Sequence, residues 1–150
     1  YNGSEVLNGS MPENAFLKLQ FITGTGRLLS QAATDFNKMA KKYSEDNNGK
    51  KLHVNEAYRS LDRQILKRQQ YENGISEFPA AVPGTSKHGW GLAVDISTEG
   101  KKFQSEIYFW LSQNAPSYGF VNPGWAQETG SKPEAHHWEY IRESGLTIDP

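Results

Sequence analysis

Two segments of the chain gather the residue types that metal-assisted hydrolysis uses. In the first, Ser86-Lys87-His88-Gly89-Trp90-Gly91-Leu92-Ala93-Val94-Asp95, a histidine and an aspartate stand seven residues apart with two glycines between them. If Leu92 to Ser97 is a strand, Leu92, Val94 and Ile96 share the core face and Ala93 and Asp95 the other. Gly89 and Gly91 let the chain turn, so that His88 folds back over the Asp95 side. A neutral imidazole and a carboxylate converging in this way suit zinc. The second segment, Pro133-Glu134-Ala135-His136-His137-Trp138-Glu139-Tyr140, offers a third nitrogen from one of two adjacent histidines. Two histidines and one aspartate would leave a fourth zinc position open, as a catalytic site requires. Glu134 is the candidate carboxylate to take a proton from water and hand it to a leaving amine. The plainer alternative makes His88 a loop residue, Asp95 a strand-end cap and the histidine pair a solvated edge. A water-activating carboxylate at hand favours the metal.

Composition narrows the classes of function. The 150 residues fit one domain, 1–150, with a loop-like entry over Tyr1 to Pro12 rich in Asn, Gly and Ser. Hydrophobic residues at 36% and charged ones at 22% describe an ordinary folded chain. Sixteen Lys and Arg against seventeen Asp and Glu give a formal net charge of -1, without the basic excess that a nucleic-acid backbone calls for. The chain has no cysteine, which excludes disulfides, thiolate zinc ligands and a cysteine nucleophile. No apolar run approaches the roughly 20 residues of a membrane span, and no signal peptide is visible.

The positioning elements read as α+β. Leu29, Ala32, Ala33, Phe36, Met39, Ala40 and Tyr43 recur at helical spacing, with Asp35, Lys38, Lys41 and Lys42 opposite, and Asn47-Asn48-Gly49 ends the helix. Lys51 to Arg59 alternates as a strand, with Leu52, Val54 and Tyr58 in one phase and His53, Asn55, Ala57 and Arg59 in the other. Ser60 is placed to cap a second helix, with Asp62 in its first turn and Leu61, Ile65 and Leu66 facing inward. Asn73 to Lys87 reads as a long loop and Leu92 to Ser97 as a strand. Phe103, Ile107, Trp110 and Leu111 mark a third helix, stopped by Asn114-Ala115-Pro116. His136 to Ile141 gives the last strand. The mixture lacks the regular alternation of a doubly wound sheet. No internal repeat is present.

The ordered motifs resemble those of the LAS-type zinc peptidases, a group that includes VanY-type D-alanyl-D-alanine carboxypeptidases and many phage endolysins. Ser86-x-His88-x-x-Gly91-x-Ala93-x-Asp95 fits every fixed position of the S-x-H-x-x-G-x-A-x-D motif. Glu134-Ala-His-His137-Trp-Glu-Tyr140 is similar to the second motif, usually E-P-W-H-W-E-Y, and Tyr58-Arg59-Ser60 with Gln64 to a third. Pro83-Gly-Thr-Ser-Lys-His-Gly-Trp-Gly and Asn122-Pro-Gly-Trp125 also look like the VanY-type branch. The resemblance implies a small antiparallel sheet with packed helices, Hedgehog/DD-peptidase-like. It implies that His88, Asp95 and His137 hold one zinc ion and that Glu134 is the base. Arg59 would steady the substrate carbonyl or its oxyanion, and Ser86 and Gln64 would line the substrate site. One departure concerns register: the usual Pro-Trp is Ala135-His136 here. A regular strand would pair Glu134 with His136 on one face and turn His137 to the other. The family register needs Glu134 to precede the regular strand, and Pro133 permits such an irregular entry.

The expectation is hydrolysis of a peptide bond in the peptidoglycan stem peptide by a monomeric enzyme, outside the cell or at its wall. D-Ala-D-Ala carboxypeptidase activity leads. An endolysin-type endopeptidase cutting within the stem or cross-link is the alternative, and a zinc-bearing domain without turnover carries less weight. Trp90, Trp125 and Trp138 are candidate walls or core residues. His53 reads as a satisfied or exposed polar residue, and Glu139 as a surface carboxylate or a support for the histidines.

Overall fold

Leu52, Val54, Val94, Ile96, Trp138 and Tyr140 are all buried, and the strands that carry them lie side by side. The computed structural model describes residues 8–75 and 86–142. In it β1 (Phe16–Lys18), β2 (Ile22–Gly24) and β3 (Arg27–Leu29) precede α1 (Ser30–Asp46). Then follow β4 (Leu52–Glu56), α2 (Leu61–Glu72), β5 (Ala93–Ile96), α3 (Glu106–Asn114), β6 (Phe120–Val121) and β7 (His137–Tyr140). Strands β1 and β3 pair antiparallel, and a five-stranded sheet runs in the order β2-β4-β5-β7-β6. The architecture is α+β, as expected. The sheet is antiparallel from β4 to β6, but β2 adds to its edge in parallel with β4.

Helix α1 buries the expected stripe of Ala32, Ala33, Phe36, Met39, Ala40 and Tyr43. Phe36 meets Phe120 edge to face, and Tyr43 meets Trp110 of α3 in the same way, so both helices pack over one face of the sheet. The opposite face, on which Ala93, Asp95, His137 and Glu139 are paired, carries the candidate chemistry.

Two expectations need correction. The alternation assigned to Lys51 to Arg59 breaks, because Val54 pairs with Ile96 and Glu56 with Asp95, leaving one extra residue in β4. That bulge rotates Glu56 out of the core phase of Leu52 and Val54 and onto the face of Asp95. Beyond it Ala57, rather than Tyr58, is the fully buried position. Ser60 does cap α2, its side chain accepting from the Arg63 N–H. Ile65 and Leu66 do not face inward, however: they are 39% and 51% exposed, and the residue α2 buries is Gln64. The helix docks through a polar contact instead of an apolar stripe. Strand β6, two residues long, is too short to leave a periodic signal. The loop read over Asn73 to Lys87 falls largely on residues 76–85, outside the described residues, as do Pro83, Gly84, Thr85 and residues 1–7.

Candidate metal centre

His88 lies in a single 3-10 turn, Lys87–Trp90, whose first N–H groups are met by Ser86: its Oγ accepts from the His88 N–H at 3.1 Å. Gly91 closes the turn with φ 70°, and a Cβ there would stand 2.8 Å from the Phe16 ring and 3.0 Å from the Leu29 nitrogen. Only glycine combines that backbone with that approach. The turn aims the imidazole back over β5. Its Nδ1 lies 2.8 Å from the Ala57 carbonyl, which can only accept, so Nδ1 carries the proton and Nε2 presents a lone pair. Nε2 stands 3.2 Å from Asp95 Oδ1.

Asp95 and His137 are direct partners across β5 and β7, which puts both on the same face. His137 Nδ1 is 3.3 Å from Asp95 Oδ1, and its Nε2 is 2.9 Å from Glu139 Oε2. Glu139 therefore plays for His137 the part that the Ala57 carbonyl plays for His88, turning the other ring nitrogen inward. The strand spacing held the signal: His137 and Glu139 are two residues apart and share a face.

The ligand atoms of His88, Asp95 and His137 all lie within 4.8 Å of one another. Ligands about 2.0–2.1 Å from a tetrahedral zinc stand roughly 3.3 Å apart, and the two contacts to Asp95 match that spacing. With both tautomers set by outer partners and no thiolate needed, the donor set fits zinc. The three groups also interact strongly as charges. Burial alone would raise the Asp95 carboxyl, but His88 and His137 outweigh it and hold it well below the ordinary carboxylate range. Burial would lower His137, yet its hydrogen bonds to Asp95 and Glu139 raise it to about 9.

Of the two adjacent histidines, His137 converges with His88 and Asp95. Strand β7 begins at His137, and the residues before it form a turn closed by the His137 N–H donating to the Glu134 carbonyl at 3.2 Å. The irregular entry brings Glu134 to the same side as His137. Burial raises the Glu134 carboxyl, while the charges of His137 and His136 draw it down. His136 Nε2 stands 3.9 Å from Glu134 Oε1. Arg59 is 9% exposed; its Nε donates to Glu56 Oε1 at 3.3 Å, and a terminal nitrogen reaches within 4.0 Å of Asp95 Oδ2. The bulge in β4 makes this possible by turning Glu56 toward it.

Gln64 sits one layer behind. It is 2% exposed, and its amide donates to Asn8 Oδ1 at 2.9 Å and to the Arg59 carbonyl at 3.4 Å. Asn8 in turn donates to the Ser86 carbonyl at 2.6 Å, so this chain of amides braces the His88 turn. Ser86 itself spends its oxygen on capping that turn. Trp125 lies against His137, ring centroids 5.0 Å apart, and stays partly exposed as a wall, whereas Trp138 is buried in the core. His53 is exposed and bonded to Thr23, away from the centre.

Sequence reasoning passed over Glu56 and Asn8, and it met Asn122 only within the phrase Asn122-Pro-Gly-Trp125, with no role assigned. A carboxylate in the buried phase of β4 was a sign of the bulge; Asn8 is brought in by the fold alone.

Comparison with known proteins bears on this geometry. The family model VanY, D-alanyl-D-alanine carboxypeptidase, matches residues 25–143. The D-alanyl-D-alanine carboxypeptidase of Enterococcus faecalis (strain ATCC 700802 / V583) is 42% identical over 65 residues, covering 41% of this chain and 24% of that relative. The match thus spans about a quarter of the relative's length. Among solved structures, a mutant of the vancomycin resistance D,D-pentapeptidase VanY from a VanB-type resistance cassette, in complex with Zn(II), superposes with a TM-score of 0.61 at 25% identity, covering 88% of this chain and 83% of that one. VanYB in complex with D-alanine-D-alanine gives the same TM-score and identity over 88% and 81% of the two chains.

Proposed function

The chain belongs to the VanY family of D-alanyl-D-alanine carboxypeptidases, and from that membership we propose that it is a zinc-dependent carboxypeptidase. Its substrate is the stem peptide of bacterial peptidoglycan, from which it removes the terminal D-alanine as a monomer, outside the cell or at its wall. The observation that carries the reading is the convergence of His88 Nε2, Asp95 Oδ1 and His137 Nδ1 on one face of the sheet.

Those three side chains would hold one zinc ion, leaving a fourth position for water or substrate. When bound, zinc supplies Lewis acidity toward water and the scissile carbonyl. Glu134 takes the proton from the attacking water and delivers it to the departing amine of D-alanine, so one carboxylate serves as base and then acid. Burial raises its carboxyl above the ordinary carboxylate range, against the pull of the His137 and His136 charges. The Arg59 guanidinium, held by Glu56, meets the negative charge that develops on the carbonyl oxygen. Glu139 and the Ala57 carbonyl keep the two imidazoles aimed. Trp125 walls the site beside His137 and limits water there.

The test is digestion of pentapeptide muropeptides by the zinc-loaded protein, with products read by mass. Loss of one alanine mass supports the proposal. Two peptide fragments would make the enzyme an endopeptidase, and unchanged substrate would overturn hydrolysis altogether. Glu134→Gln should lower kcat by about a hundred- to ten-thousand-fold while zinc is retained.

A further inference from the structure

The turn that carries both Glu134 and His137 is fastened by a residue outside both motifs. In the β6–β7 ladder, Ile141 N–H donates to the Gly119 carbonyl and Val121 faces Glu139; the same register carried two residues past the end of β6 sets Pro123 opposite His137. Pro123 has no N–H, and the His137 carbonyl would be left without its ladder donor. The side chain of Asn122, 7% exposed, takes that place: its Nδ2 donates to the His137 carbonyl at 2.9 Å. The second hydrogen of the same amide goes to the Glu134 carbonyl at 3.0 Å. One planar NH2 group thus joins the first and last residues of the turn. Its orientation is fixed from the other end, where the Tyr108 hydroxyl of α3 donates to Asn122 Oδ1 at 2.9 Å. Gln127 Nε2 donates to the Asn122 carbonyl at 3.1 Å, and the Glu134 N–H donates to the Ala126 carbonyl at 2.8 Å, tying the same stretch down from outside.

We propose that Asn122 is a positioning residue of the centre: its amide clamps the Glu134–His137 turn and so sets the base and the third metal ligand at a fixed separation, with Tyr108 holding the amide in register. Neither residue is assigned a contact with the metal or the substrate. The role rests on the reading of Glu134 as base and His137 as ligand. A turn free to breathe would spoil both functions together, because a misplacement of about an ångström is enough to cost large factors in rate.

The experiment compares wild type with Asn122→Ala, Tyr108→Phe and Tyr140→Phe. Tyr140→Phe removes a tyrosine hydrogen bond of similar kind, to Asp35 on the core side of β7, and serves as the control for lost stability. Zinc affinity is measured by chelator competition, and kcat and KM on a pentapeptide substrate. Asn122→Ala is expected to lose about 10- to 100-fold in zinc affinity and in kcat, with KM changed less than about twofold. Tyr108→Phe should shift the same two quantities in the same direction by less, and Tyr140→Phe neither. If Asn122→Ala does not fold, Tyr108→Phe decides alone. Zinc affinity and kcat within about twofold of wild type in the folded Asn122 and Tyr108 variants would overturn the clamp. So would equal losses in Tyr140→Phe. A wild type that binds no zinc or cleaves no substrate would instead overturn the function proposed above.

Discussion

Glu139 reaches His137 through the ring nitrogen that faces away from Asp95, and the 2.9 Å contact leaves Nδ1 as the inward atom. A carboxylate in that position both orients the ring and strengthens it as a ligand. Glu139→Ala is therefore expected to weaken zinc binding by about 10- to 100-fold in a chelator competition, without the selective loss of kcat that marks Glu134→Gln. Glu56 makes a comparable contribution to Arg59. It holds Arg59 Nε at 3.3 Å and Arg63 at 3.1 Å, so the Arg59 guanidinium is anchored from one side. The proposed ligands and the arginine hold the chemistry, and Glu139 and Glu56 hold those residues in place.

At the scale of elements, β7 is the member on which most depends. It presents His137 and Glu139 to the site and Trp138 and Tyr140 to the core. Tyr140 fastens it to α1 by donating its hydroxyl to Asp35. Burial first, and then that hydrogen bond, push the Tyr140 hydroxyl up to about 12. A value raised above the unfolded one, about 10, means that the neutral hydroxyl favours the fold. Its contribution is complete below pH ~10 and disappears as pH rises through about 12. Tyr140→Phe should cost about 1–3 kcal/mol near neutrality, and the gap between mutant and wild-type melting temperatures should close between those two pH values.

Across the whole molecule, the proposed zinc would join three separate stretches of chain: the His88 turn, strand β5 and strand β7. An ion that binds the folded state alone stabilises it by mass action. Free zinc at a hundred times its dissociation constant would add about 2.7 kcal/mol, or roughly 5–10 °C in melting temperature for a chain of this size. Removing it with a chelator should produce that drop in a thermal scan, and restoring zinc should reverse it. His88→Ala should show neither response.

The sequence by itself determined the chemistry and the class of fold. Side-chain types and spacings are local facts, so the His88–Asp95 spacing, the amphipathic stripe of α1 and the alternation through Val94 were legible without coordinates. Choosing His137 over His136 needed the family motif, since strand periodicity favoured the other histidine; in the structure a turn precedes the first residue of β7, and His137 lies beside His88 and Asp95. Pairing decided the rest. The bulge in β4 depends on how that strand meets β5, and it alone turns Glu56 toward Arg59. Pro123 matters only because the ladder places it opposite His137. Asn8 reaches Ser86, 78 positions away in the chain, through a contact that no local pattern encodes. Each of these depends on how separate segments meet, which register and packing fix rather than any run of neighbouring residues.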